Sequence, residues 1–396
     1  NQKRGFLFFL GQKLLLSIKK YLKKFMIKKN KTNNKTKDKS KEKVLVAISG
    51  GVDSAVAAKL LIDDGYDVSG IFLNFWKEPG EQNSENKCCS LEAQLDAKKV
   101  CLSLGIPFYT FNFSSKFKKE VVDNFLNEYQ IGNTPNPCVV CNKKIKIGGL
   151  LEYAKSLGFN YLATGHYVKI KKCPDGFYLF KGVDKNKDQS YFLYTLEQKQ
   201  LKNLLFPLGN LKKPKVRQIA SKSGLPVASK NESQEICFIS GKRHNDFLKK
   251  YLKLKPGKII LWPENKIIGE HQGLPLYTIG QRRGIDIGGT GPYYAASFDY
   301  QKKYLYVVKN FDDPILYGKE MLVKNFYWTN KKNLKFPLKT KVVIRYRHKA
   351  VSCVVEPLTK KKLLKVKFLR KQRAITFGQS AVFYNGSQVL GGGIIC

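Results

Sequence analysis

Residues 44–61 read VLVAISGGVDSAVAAKLL, and this run constrains the fold more than any other in the chain. A short β-branched apolar stretch ends in paired glycines. A helical pattern follows, with Val56, Ala57, Leu60 and Leu61 on one face, and Gly65 closes it. The alternation continues with a strand in DVSGIFL, a helix in LEAQLDAKKVCLSL and a strand in PFYTFNF. Two more helices in KFKKEVVDNFLNEYQ and NKKIKIGGLLEYAKSL and a strand in YLATG complete it. Strands and helices in this order predict an α/β domain with a parallel sheet and helices on both faces. Such sheets bind ligands at the carboxyl ends of their strands, where SGGVDS and TGHY both fall.

Past about residue 300 the texture changes. KYLYVVK, KTKVVIRYRH, AVSCVVEPL, LLKVKFLR, SAVFYN and VLGGGII are short β-type runs separated by turn signals, which predicts a small antiparallel barrel. A mixed, Gly/Pro-rich region lies between the two. The expected division is a basic arm over 1–43, a catalytic domain over 44–215, a central domain over 216–300 and a barrel over 301–396.

The chain opens on Asn rather than Met, which points to a fragment or a processed form. Its arm has only Asp38 and Glu42 as acids and is basic and amphipathic, as an organelle-targeting segment or a solvated extension would be. An organelle, plastid or mitochondrion, is expected, with a cytoplasm as the alternative. The formal net charge is +42, and the excess continues through the folded part, the footprint of a polyanion binder. No apolar run of about 18 residues occurs, so no membrane span is expected. Nine scattered cysteines in a chain of 396 residues do not make a disulfide framework and suit a reducing compartment.

The segment AISGGVDS, Ala47 to Ser54, has the chemistry of a phosphate site. Gly50 and Gly51 let the backbone turn tightly beside a ligand, and the helix that starts at Val52 offers unpaired N–H groups and a positive dipole end. Ser49 and Ser54 add hydroxyls, and Asp53 is placed to hold a Mg²⁺ ion on the phosphates. No Gly-Lys-Ser/Thr follows, so it is not a Walker loop. The loop resembles that of ATP pyrophosphatases, which cleave ATP between the α and β phosphates. Argininosuccinate, asparagine and GMP synthetases share it with tRNA thiolases. The pair Cys138-x-x-Cys141 in NTPNPCVVCNKK is open to four readings: half a zinc site with a ligand such as His166, a redox pair, a reactive thiol, or buried packing.

A larger set of motifs decides among these. SGGVDS, NTPNPCVVCNKKIK, ATGHY, KDQSYFLY, LFPLG, ICFI, GEHQGLPLYTIGQRRG and FGQSAVFYNGSQVLGGGII occur in this order from about residue 44 to 395. Together they resemble the tRNA-specific 2-thiouridylase family. The resemblance implies ATP and Mg²⁺ on Ala47, Ile48, Ser49, Gly50, Gly51, Val52, Asp53 and Ser54, with Leu73 and Gly165 beside the nucleotide. It gives Cys141 the role of nucleophilic thiol and Cys237, read as part of a β-type run, that of persulfide carrier. It places Asn136, Pro137, Cys138, His166, Lys187, Asp188, Gln189, Arg345, Tyr346 and Gln379 against tRNA, with Arg345 and Tyr346 on a barrel strand.

Cys138 stands where many members have an Asp proposed to assist catalysis near the target base, which makes Cys138 a third candidate catalytic residue. That departure gives three cysteines, Cys138, Cys141 and Cys237, that could together hold an iron–sulfur cluster with one open iron. The implied partners are the anticodon arm of tRNA and a sulfur-donor protein, a cysteine desulfurase or a sulfur relay. Cys88, Cys89, Cys101, Cys173, Cys353 and Cys396 have no assigned chemistry.

Overall fold

The computed structural model describes residues 42–78, 90–231, 236–239, 244–285, 287–288, 291–330 and 334–396. The basic arm through residue 41, Cys88 and Cys89 lie outside the described residues.

The first sheet is parallel throughout. Its strands are β1 (Lys43–Ala47), β2 (Asp67–Asn74), β3 (Phe108–Asn112), β4 (Tyr161–Ala163) and the two-residue Leu204–Leu205. They lie in the order β3-β2-β1-β4 with the short strand outside β4. The chain adds strands on one side of β1 and then returns to its other side at β4. The crevice between the carboxyl ends of β1 and β4 is therefore the topological switch point, the usual ligand site of an open parallel sheet. Helix α1 (Val52–Asp63) buries Val52, Ala55, Val56, Ala57, Ala58 and Leu61. Helix α2 (Leu91–Ser103) buries Ala93, Ala97, Val100 and Cys101, with the Ser90 side chain capping its start.

The next strands leave this sheet. β5 (Val168–Cys173) and β6 (Gly176–Lys181) form a hairpin whose outer edge pairs with the C-terminal sheet, with Gln388 opposite Phe180 and Val389 opposite Leu179. That sheet contains β7 (Tyr317–Trp328), β8 (Leu338–Val343), β9 (Val351–Leu358), β10 (Leu363–Arg373), β11 (Ser380–Asn385) and β12 (Gln388–Ile395). β7 pairs with both β10 and β12, so six antiparallel strands close on themselves as a barrel.

The central sheet has four strands over residues 257–308, at Gly257–Leu261, Lys266–His271, Tyr294–Asp299 and Tyr304–Val308. The boundary expected at residue 300 runs through its last hairpin, where Asp299 pairs with Tyr304, and KYLYVVK belongs here rather than to the barrel. Its β-type composition marked that run as a strand but not its partner.

Hydrogen bonds tie the three bodies together at one loop. Thr134 N donates to the Phe377 carbonyl at 2.8 Å, Gln379 Nε2 donates to the Thr134 carbonyl at 2.8 Å, and the Thr134 and Thr278 hydroxyls lie 3.1 Å apart. Gly378 permits this approach. It has a φ of +88°, and a Cβ there would stand 2.8 Å from Asn133 Cβ and 2.9 Å from Thr134 N. Gly378→Ala should therefore cost about 1–3 kcal/mol and lower the melting temperature in a thermal denaturation scan.

Candidate active site

β1 stops at Ala47 because the chain turns through Gly50, at φ +73°, where a Cβ would overlap the Ala93 carbonyl oxygen of α2 at 2.3 Å. Ser54 is buried in the first turn of α1. Its hydroxyl donates to the Gly51 carbonyl at 3.0 Å and accepts from Ser49 N at 3.1 Å, which braces the loop from inside. Ser49 is exposed.

The loop after β4 closes on this one. A Cβ at Gly165 would lie 2.8 Å from the Asp53 carbonyl carbon and 2.9 Å from Ser54 N, so the two backbones touch only because Gly165 has no side chain. The Asp53 carboxylate is held from two directions: Tyr167 OH donates to Oδ1 at 2.7 Å, and Lys213 Nζ does so at 2.7 Å. Lys213 is buried at the start of the helix Lys213–Lys222, where a cation opposes the helix dipole. Sequence reasoning missed Lys213 and Tyr167. The signal available was a lysine directly before proline at a helix start, with no local reason to be there.

A cavity of about 450 Å³ opens above these loops, of a size to take a nucleotide and part of a second ligand. Ala47, Ile48, Ser49, Gly50, Gly51, Val52, Asp53, Ser54, Leu73 and Gly165 line it, and so do Pro137, Cys138, Cys141, His166, Lys187, Gln189, Cys237 and Tyr346. Lys146, Lys230 and Arg347 are on its wall too, and Asp53 is the one carboxylate among the described lining residues. The electrostatics favour a polyanion.

Cys138 and Cys141 come from the short helix Pro137–Cys141, which continues as a widened π-helical segment, Asn142–Gly149. Cys141 is buried and Cys138 is exposed. Cys237 lies in a turn, not the expected β-type run. The turn is anchored by its neighbour Phe238, 2% exposed, which packs edge-to-face on Phe117, Phe125 and Phe247. Aromatic packing rather than a sheet ladder thus fixes the approach of this thiol.

His166 is half-buried beside the loop, with Nδ1 2.7 Å from the Thr164 hydroxyl. Burial, assisted by the positive charge of Lys146, pushes its pKa down to about 3. It is neutral throughout the physiological range.

Four of the tRNA-facing residues are not on the cavity wall. Asn136 hydrogen-bonds Tyr191. Asp188 faces inward, its carboxylate accepting from Gly182 N at 3.1 Å, Ser190 N at 3.2 Å and Ser190 Oγ at 2.9 Å. Arg345 donates to the Arg373 carbonyl at 3.1 Å, and Gln379 serves the Thr134 junction. Arg345 and Tyr346 lie in a turn beyond β8 rather than on a strand. The ladder ends at Val343, and Arg347 takes a left-handed φ of +63°. Tyr346 packs on Phe192 at a tilt of 47°, with 4.5 Å between ring centroids.

No group of three or more His, Cys, Asp or Glu side chains among the described residues is placed to hold a metal ion. Cys138, Cys141 and Cys237 line one cavity without forming such a group. Asp53 fits a different role, a single carboxylate at a phosphate loop, where the nucleotide itself supplies most of the ligands to Mg²⁺. Among the described residues no helix is long and apolar enough to cross a membrane.

Comparison with known proteins is consistent along the chain. The family described as "tRNA methyl transferase HUP domain" matches residues 42–241, a PRC-barrel domain of the same description matches 245–309, and an aminomethyltransferase β-barrel domain matches 318–395. The tRNA-specific 2-thiouridylase MnmA of Vibrio cholerae is 44% identical over 360 residues, covering 89% of this chain and 95% of that one. Those of Photorhabdus laumondii and Pseudomonas aeruginosa are each 43% identical, covering 89% of this chain and 96% and 94% of theirs.

The chain belongs to the tRNA-specific 2-thiouridylase family. The HUP-domain match contains the first sheet, the PRC-barrel match contains the four-stranded central sheet, and the β-barrel match covers nearly all of the six-stranded barrel.

The neutral His166 has a thermodynamic signature. Its folded pKa lies below the ordinary value of 6.5, so between pH 6.5 and about 3 the unfolded chain binds the extra proton. This contribution to stability is present above pH 6.5 and is lost as pH falls through that window. Urea unfolding of the wild type should lose more stability between pH 7 and 5 than that of His166→Gln.

Proposed function

We propose that this chain is an ATP-dependent sulfurtransferase that converts the C2 carbonyl of the wobble uridine of tRNA to a thiocarbonyl, releasing AMP and pyrophosphate. One observation carries this reading: a single cavity is walled by the phosphate loop and by both Cys141 and Cys237. The matched family descriptions mention methyl transfer. A loop that presents backbone N–H groups to phosphates, with two thiols across from it, favours activation by ATP followed by sulfur transfer.

ATP binds with its phosphates over residues 48–54 and its base near Leu73. Mg²⁺, when bound with ATP through Asp53, neutralises phosphate charge. Ser54 and the Gly165 contact keep the loop rigid, and Lys213 with Tyr167 orients Asp53. The uridine O2 attacks the α-phosphorus, and pyrophosphate leaves. Cys237 carries a persulfide loaded by a donor protein. Its terminal sulfur attacks C2 and AMP departs. The Cys141 thiolate then takes the Cys237 sulfur, forming a Cys141–Cys237 disulfide and freeing 2-thiouridine. Alternatively, Cys141 attacks the persulfide first and hydrosulfide is the nucleophile. Either way the sulfur transferred is sulfane sulfur, and a dithiol reductant reopens the disulfide. The cationic wall and the Lys187–Gln189 and Arg345–Tyr346 segments receive the anticodon arm.

Anaerobic protein, unmodified tRNA, ATP·Mg²⁺ and a sulfur donor should yield 2-thiouridine on a mercury-containing gel. Cys141→Ala and Cys237→Ala should each lower the yield at least about 100-fold, as loss of a covalent nucleophile does. Cys138→Ala should retain activity if that thiol only lines the entrance. Activity that survives loss of both thiols would mean an ATP-dependent amide or guanidino synthetase. Unchanged tRNA binding in Asp53→Asn, with no thiolation by the wild type, would mean a non-catalytic RNA-binding protein.

The arm over residues 1–43 favours delivery to an organelle. The arm fused to a fluorescent protein should reach plastids or mitochondria, and a diffuse cytoplasmic signal would count against it.

A further inference from the structure

Three thiols line the cavity, and they differ in how far solvent reaches them. Cys141 is 5% exposed, Cys237 is half-buried and Cys138 is exposed. Both routes of the mechanism above end with Cys141 joined to Cys237, so one sulfur of that disulfide belongs to the buried residue. Thiol–disulfide exchange needs access to a sulfur, and a protein dithiol is a bulky reagent for a cavity of about 450 Å³. Cys138, exposed yet on the cavity wall, stands where the cavity meets solvent. It is carried on the same short helix as Cys141, a helix that buries Pro137, Val139 and Cys141. Residues three apart in a helix have Cα atoms about 5 Å apart, inside the range of roughly 4.4–6.8 Å that a disulfide bridges. Because both cysteines belong to one element, Cys138 stays beside Cys141 whatever the state of Cys237.

We propose that Cys138 is a resolving thiol that carries the disulfide from the buried centre to the surface after each turnover. The inference rests on the sulfurtransferase reading above. The Cys138 thiolate attacks Cys141 Sγ. A Cys138–Cys141 bond forms, the Cys141–Cys237 bond breaks, and Cys237 leaves with the electron pair as a thiolate. The carrier is thereby ready for its next persulfide while the oxidation waits at the exposed end of the helix. A protein dithiol then attacks Cys138 Sγ, and Cys141 leaves as a thiolate and takes a proton. The second thiol of the reductant displaces Cys138, so the reductant ends as a disulfide and all three cysteines end reduced. The dithiol is the one the reaction already requires, and nothing else is consumed.

The test follows the disulfide through a single turnover of the full chain. The protein is loaded with persulfide by a cysteine desulfurase and cysteine, freed of small thiols, and given U34 tRNA and ATP·Mg²⁺ without reductant. It is then quenched in acid, alkylated and digested with trypsin for mass spectrometry. Cys138 and Cys141 share the peptide 120–143, whereas Cys237 lies in 231–242. The wild type should show mainly a disulfide internal to the first peptide, with Cys237 alkylated. Cys138→Ser should show the two peptides cross-linked. On addition of a protein dithiol, thiols should return at least about tenfold more slowly in Cys138→Ser than in the wild type. Dithiothreitol, small enough to enter the cavity, should bring the two within about twofold.

Cross-linked peptides with no internal disulfide in the wild type would overturn the proposal. So would recovery of Cys138→Ser at the wild-type rate with the protein dithiol, because the reductant would then be reaching Cys237 directly. Loss of the first turnover in Cys138→Ser would place Cys138 in sulfur transfer itself and would also overturn it. Iron held by these thiols in protein isolated without air would do the same, since a ligated thiolate is not available for exchange. 2-Thiouridine formed with no disulfide would overturn the relay and leave the sulfurtransferase reading standing. If the wild type makes no 2-thiouridine, that reading itself fails and this inference fails with it.

Discussion

The approach of two backbones, the turn after β1 and the turn after β4, is the constraint on which the rest of the molecule depends. At Gly165 no Cβ can be accommodated against Asp53 and Ser54, and Gly50 is similarly closed against α2. These contacts bring the start of α1, and with it the amide groups of the phosphate loop, to the switch point of the sheet. They also fix Asp53 where Tyr167 and Lys213 converge on one carboxylate oxygen. A side chain at Gly165 would open the gap between the loops and separate the phosphate site from the face that carries His166. The anion site is therefore a product of close backbone packing, and the helix dipole acts on geometry that packing has already set.

The barrel is coupled to this centre by buried polar groups more than by surface charge. Ser190 is fully buried between Asp188 and Tyr384, whose hydroxyl lies 3.1 Å from the Ser190 oxygen. Tyr191 donates to the Ser380 carbonyl at 2.9 Å, and Tyr194 lies 3.2 Å from the Ser380 hydroxyl. Burial pushes the pKa values of Tyr191, Tyr194 and Tyr384 upward, so all three remain neutral hydrogen-bonding groups. A satisfied network of this kind favours one docking geometry because each displaced partner would leave a buried polar atom unpaired. It spans the segment beginning with Lys187, Asp188 and Gln189 and the strand that follows Gln379. The residues read as tRNA contacts therefore sit on a joint between the two bodies, and Asp188 helps to build that joint with its own carboxylate.

Much of the architecture was legible. The VLVAISGGVDSAV run carried its strand, its turn and its helix in consecutive residues, and the barrel runs carried β-type composition bounded by turn signals. Failures came wherever a local pattern had to name a distant partner. KYLYVVK looked like a strand and is one, but its neighbours are in the central sheet. Arg345 and Tyr346 continue a β-type composition past the point where the ladder stops. Cys237 sits among apolar residues that look like strand and are the anchor of a turn, because Phe238 finds three aromatic partners in a core formed by other segments. Lys213 could not be paired with Asp53 from the sequence, since 160 residues separate them.

By itself, the sequence determined the element types, the phosphate loop and the identity of the thiols, because each is written in residues that are neighbours along the chain. Tertiary structure alone decided that Cys141 and Cys237 share a cavity with that loop, that Asp188 turns inward, and that a hairpin from the catalytic region joins the barrel. Periodicity and turn chemistry specify which face of an element is buried. What lies against that face is set by the packing of segments far apart in sequence, and burial and hydrogen-bond satisfaction can be read only once that packing exists.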